Sequence, residues 1–125
     1  MNYSQILEEL ISQTYSKIIN WENENPHSWE TTIFNYNFAF KAFSCEYKKD
    51  NFLFKLLFVE KKMPDEHSDW EGVAEVYYPE LIILQNGIQV GIIDDSSGCR
   101  DDLIRLGTAI ENNNSGLNMF LNLFK

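Results

Sequence analysis

The sequence predicts an α+β fold: an N-terminal helix, an antiparallel sheet of five or six strands and a C-terminal helix, stacked as a two-layer α/β sandwich. Three observations predict it. Apolar residues recur at helical spacing in 3–19 and again after residue 100. Between these segments, aromatic and β-branched residues alternate with polar ones in short runs. Within that region Asn86-Gly87 separates two such runs, the strongest short-range hairpin signal, because both residues tolerate positive φ.

The first helix is expected over 3–19. Ile6, Leu7, Leu10, Ile11, Tyr15 and Ile18 form its apolar stripe, with Glu8, Glu9, Gln13 and Lys17 opposite. Ser4 is positioned to cap it, and the polar stretch 20–28 with Pro26 ends it. Strand signals start in 29–35. Phe34, Tyr36, Phe38 and Phe40 then alternate at even positions, while Phe43, Cys45 and Tyr47 alternate at odd ones. A turn near 35–37 or a bulge near Ala42 would produce that change of phase. Residues 48–51 read as a turn. Residues 52–59 are apolar on both faces except at Lys55, which predicts the most buried strand.

Residues 61–72 read as a polar loop anchored by Trp70, and 73–78 as a short strand ended by Pro79. The runs on either side of Asn86-Gly87 form the hairpin. A loop at 94–98 then leads into a helix that Ser96 or Ser97 can cap, with Asp101 and Asp102 in its first turn. Leu103, Leu106 and Ile110, with Ala109, make that helix's buried stripe, and 112–116 stops it. Residues 117–124 read as a last short helix, either packed on the core or serving as a docking segment.

A chain of 125 residues fits one domain, 1–125, that buries roughly 65–70% of its unfolded surface without staples. Nine Phe, six Tyr and three Trp point to an aromatic core. Cys45 and Cys99 are expected as free thiols of a reducing compartment. The N-terminus lacks a basic region followed by an apolar run, and the longest aliphatic run is 81–84, so a cytoplasmic protein is expected.

The net charge is −9, which repels nucleic-acid phosphates and anionic lipid, so neither nucleic acid nor membrane is an expected partner. The charge is uneven. Residues 41–62 hold six lysines against three carboxylates, whereas 63–102 hold ten carboxylates against Arg100 alone.

Asp65, Glu66, His67 and Asp69 lack ligand spacing and suit a polar loop better than a metal site. The 94–98 loop lacks the alternating ligands of a calcium loop. Cys99 stands at a helix start, where the dipole can lower its pKa, yet nothing local pairs it with His27 or His67. Adjacent carboxylates at 94–95 and 101–102 are of the kind that is usually solvated, and no glycine-rich phosphate loop exists. No catalytic residue, metal or cofactor is therefore expected.

The aromatic residues Trp21, Trp29, Trp70, Tyr77 and Tyr78 lie in or beside polar segments, where they either close the core's edges or anchor an interface. A non-enzymatic binder is the expected class. In its physical profile the chain resembles small bacterial toxin-immunity and anti-defence inhibitors, which are compact, acidic and cytoplasmic, and the Asn-rich, Lys-over-Arg usage suits a bacterial or phage genome. That resemblance implies stoichiometric binding to a basic protein. The expected contact set is Asp65, Glu66, Asp69, Trp70, Glu71, Glu75, Tyr77 and Tyr78. Two alternatives stand beside it: a nucleotide-like ligand held by stacked aromatics with Arg100 or Arg105, and a structural subunit that self-associates through an edge strand.

Overall fold

Asn2 starts the first helix. Its side chain accepts from the Gln5 backbone N–H at 2.9 Å, and its own N–H donates to Gln5 Oε1 at 3.0 Å, a reciprocal capping box. Helix α1 spans Tyr3–Tyr15. Ser4 is therefore not the cap. It lies in the first turn and donates to Asp102 Oδ2 at 2.7 Å.

The helix also ends earlier than the apolar spacing predicts. Lys17 takes φ 61°, and the Ile18 N–H and Lys17 N–H reach back to the Gln13 and Thr14 carbonyls. This is a Schellman closure with lysine in the left-handed position that glycine normally fills. Ile18 is thereby turned out, 72% exposed, and Ile19 is buried in its place. Lys17→Gly should stabilise the protein by about 0.5–1 kcal/mol, because relief of left-handed strain exceeds the added unfolded-state entropy. A urea midpoint at or below the wild-type value would contradict this.

The computed structural model describes residues 2–24, 39–64, 75–113 and 115–124. After α1 come β1 (Glu22–Glu24), β2 (Ala39–Lys49), β3 (Phe52–Pro64), β4 (Glu75–Gln85) and β5 (Ile88–Ile93). A 3-10 turn (Asp95–Ser97) then leads to α2 (Arg100–Asn112) and α3 (Ser115–Asn122). The sheet is an antiparallel meander in the order β1-β2-β3-β4-β5, so the predicted fold class holds. The expected strand at 29–35 lies outside the described residues.

The β2–β3 hairpin closes on Asp50-Asn51, with Lys49 paired to Phe52 and Asp50 at φ 57°. The β4–β5 hairpin turns on Asn86 (φ 55°) and Gly87 (φ 79°), the two positive angles of a type I′ turn. A register shift lies between Ala39 and Lys41, close to the bulge near Ala42 that is one of the two expected causes of the phase change; the other, a turn near 35–37, lies outside the described residues.

Three strand boundaries differ from expectation. Strand β2 runs through Lys48 and Lys49, expected in the turn, because they pair with Leu53 and Phe52 and leave only Asp50-Asn51 to turn the chain. Strand β3 continues through 61–64, which composition assigned to a loop, because Lys61, Lys62, Met63 and Pro64 pair with Tyr78, Tyr77, Val76 and Glu75. Strand β4 runs through Pro79 rather than stopping before it. The β5 pairing ends where Ile93 meets Leu81, so at Pro79 the strand is an edge, where a sheet tolerates proline.

Alternation in the strands separates two apolar clusters. On one face, Phe43, Cys45, Leu56, Phe58, Leu81 and Ile93 pack against Leu7, Leu10 and Ile11 of α1 and Leu103, Leu106, Ala109 and Ile110 of α2. On the other, Ala42, Leu57, Val59, Ile82 and Leu84 form a second buried cluster. This two-sided burial is what the apolar run of 52–59 predicts, although Phe52 and Leu53 at the hairpin end are exposed. Helix α2 approaches β3 closely at Gly107, where a Cβ would stand 2.9 Å from Phe58 Cζ.

Candidate functional site

The connection from β5 to α2 is built by Asp94. Its carboxylate accepts from the Ser96 N–H at 3.0 Å and the Ser96 hydroxyl at 2.5 Å, and its own N–H donates to Ser97 Oγ at 3.1 Å. Gly98, at φ 78°, then swings the chain into α2. Ser96 and Ser97 thus serve the 3-10 turn and do not cap α2. The α2 N-cap is Cys99, with no side-chain bond, while Asp101 and Asp102 occupy the first turn as expected.

Beside this turn lies a polar depression of about 390 Å³ lined by Lys61, Tyr78, Glu80, Asp94, Asp95 and Ser96. The sheet register makes it. Lys61 pairs with Tyr78 across β3 and β4, and Glu80 follows two residues on, on the same face. Lys61 Nζ lies 3.1 Å from Glu80 Oε1, with both side chains largely covered. Arg100 reaches in from α2, 3.0 Å from Asp95 Oδ1, and its guanidinium lies 5.6 Å from the Tyr78 ring centroid. Tyr78 and Asp95 therefore hold a cation in place, by ring quadrupole and by charge.

Of the eight expected contact residues, Tyr78 is in this site. Glu75 and Tyr77 lie on β4 opposite Pro64 and Lys62. Asp65, Glu66, Asp69, Trp70 and Glu71 lie outside the described residues, as do Trp29, His27 and His67. Lys61 and Glu80 were missed. The only signal that could have found them is the β3–β4 register, which single-strand patterning does not contain.

Of the two roles open to Trp21, closing the core's edge is the one the structure shows. Trp21 is 2% exposed, and its Nε1–H donates to Thr14 Oγ1 at 3.0 Å. The arginines considered for a nucleotide-like ligand are engaged with carboxylates. Arg100 pairs with Asp95, and Arg105 pairs with Glu8 and, at 3.3 Å, with Asp102. A further surface feature is α3 and the residues after it, where Met119, Phe120, Leu121, Leu123 and Phe124 are all at least half exposed.

Both cysteines are buried and free. Burial pushes the Cys45 thiol from its ordinary 9.0 up to about 12. Burial and then the Asp102 carboxylate raise Cys99 as well, opposite to the lowering expected at a helix start. The folded state therefore keeps the Cys45 proton that the unfolded state loses above pH 9. Its contribution is complete below that pH and falls by up to roughly 1.4 kcal/mol per pH unit as pH rises towards 12. Urea titrations between pH 8 and 11 should show a shallower alkaline loss for Cys45→Ala than for wild type. Equal slopes would refute the assignment.

Among the described residues no group of three or more His, Cys, Asp or Glu is arranged to hold a metal, and no helix is long and apolar enough to cross a membrane. No family model matches the chain, and no curated protein or solved structure matches it.

Proposed function

We propose that the protein is a non-enzymatic, stoichiometric binder of a basic protein partner, of the toxin-immunity or anti-defence inhibitor kind, acting in the cytoplasm. The observation that carries this reading is the acidic depression at the β5–α2 turn. There Glu80, Asp94 and Asp95 outnumber the nearby cations around the Tyr78 ring, in a chain of net charge −9. A guanidinium already rests on Tyr78 and Asp95 within the molecule, so the site's chemistry suits an arginine or lysine from outside. The same carboxylates oppose a phosphate, which weighs against the nucleotide-like alternative.

The test is affinity capture from the native host with tagged wild type and with the Asp95→Lys variant. One basic protein retained at one-to-one stoichiometry is expected. The variant should bind it at least tenfold more weakly, mainly through slower association, and salt should weaken the wild-type complex in the same sense. Retention of the partner at unchanged affinity, or no stoichiometric partner at all, would overturn the reading.

A second reading, self-association, is favoured by β5. It ends the described sheet, with Ile88 and Val90 exposed on it. A wild-type mass that rises with concentration in light scattering, and a Val90→Lys variant that stays monomeric, would support it over the first.

A further inference from the structure

A separate pocket of about 210 Å³ opens on the helix-covered face, between α1 and the end of the sheet that carries the β2–β3 hairpin. Its walls are Ile6 and Leu10 from α1 and Leu56, Leu81 and Ile83 from the sheet. Phe54 and the ring of Tyr47 complete them. An apolar cavity of about 150 Å³ already suffices for a benzene-sized molecule, so this one accommodates a ring with a short chain, or a medium alkyl chain.

The polar groups at the pocket are few and differ in how firmly they are held. Glu9 and Lys49 line it, with Lys49 Nζ 3.9 Å from Glu9 Oε1, the outer limit of an ion pair, and both side chains well exposed. Such a pair contributes at most about 1 kcal/mol. Glu9 has a second partner, since Gln13 Nε2 donates to it at 3.1 Å. Lys49 can therefore leave Glu9 at little cost, and Glu9 stays hydrogen-bonded. Of the two charged groups in the lining, Lys49 is thus the one able to turn to an anionic head.

We infer that the pocket under α1 binds a small apolar molecule with an anionic head, a medium-chain or aryl-alkyl carboxylate, whose tail lies among Ile6, Leu56 and Ile83 and whose carboxylate pairs with Lys49. This site lies on the face opposite Tyr78 and Glu80 and does not depend on the partner reading.

The probe is octanoate, with octyltrimethylammonium as the opposite-charge control, followed by calorimetry and by methyl chemical shifts of the isoleucines. Saturable one-to-one binding is expected, with shifts at Ile6 and Ile83. Lys49→Glu should weaken it about tenfold, the loss of one charge-assisted contact. Ile83→Phe, which fills the pocket, should abolish it while the thermal transition remains. If that variant fails to fold, Ile6→Phe takes its place, and the wild-type shift map still locates the site. No saturable binding at millimolar octanoate, shifts away from Ile6 and Ile83, undiminished binding by Lys49→Glu, or equal binding of octyltrimethylammonium would each overturn the inference.

Discussion

Phe58→Ala is expected to lower the unfolding free energy by about 4 kcal/mol. The ring is 1% exposed and stands at the centre of the helix-covered core. Removing it forfeits the transfer free energy of the phenyl group and leaves a cavity that α2 can close only in part. A domain of this size is held by roughly 5–15 kcal/mol, so the loss is a large share of the total and lowers the melting temperature by on the order of 15 °C. Urea unfolding should show a lower midpoint with an unchanged slope. A loss under about 2 kcal/mol would mean that the site is not packed as described.

The same contact predicts a reversal of sign at Gly107. Alanine is better than glycine in a helix by about 1 kcal/mol, yet its methyl would meet the Phe58 ring edge at 2.9 Å. Overpacking costs about 1–3 kcal/mol, so Gly107→Ala should be net destabilising in the wild type. In a Phe58→Leu background the ring tip is gone, and the same substitution should become stabilising. An equal effect in both backgrounds would show that the close approach is not what requires glycine there.

Thr14→Val is expected to cost about 2 kcal/mol, although it keeps the branched shape of the side chain. Thr14 Oγ1 donates to the Leu10 carbonyl at 2.7 Å and accepts from Trp21 Nε1 at 3.0 Å, with both residues buried. Valine leaves the indole N–H in the core without an acceptor, so the penalty is desolvation of an unpaired donor. Trp21→Phe removes the donor. The double variant should then cost less than the sum of the two single ones by at least 0.5 kcal/mol, the coupling of a direct contact. Additivity, or a Thr14→Val protein as stable as wild type, would refute this role for the bond. The bond also ties the end of α1 to the residue before β1, across the Schellman turn.

Legibility in the sequence followed the range of the interactions. Asn86-Gly87 specified its hairpin because positive φ is a property of those two residues. Leu103, Leu106, Ala109 and Ile110 specified the buried side of α2 because helical periodicity is local. The change of alternation phase signalled a turn or a bulge, and the register breaks between Ala39 and Lys41. The end of α1 was hidden because lysine at position 17 carries no left-handed signal. Pro79 misled because its effect depends on whether β5 lies alongside, and β5 stops short of it.

At the candidate site the sequence by itself determined the excess of carboxylates in 63–102 and the presence of Tyr78 among them. Tertiary structure alone decided that Lys61, Glu80 and the 94–96 turn meet at that ring, that Trp21 faces inward, and that Lys49 stands at an apolar pocket under α1. The physical reason is common to all three. Propensity and capping act over a few residues. Strand register and the choice of face are settled by apolar burial summed over whole elements, and no local pattern encodes that sum.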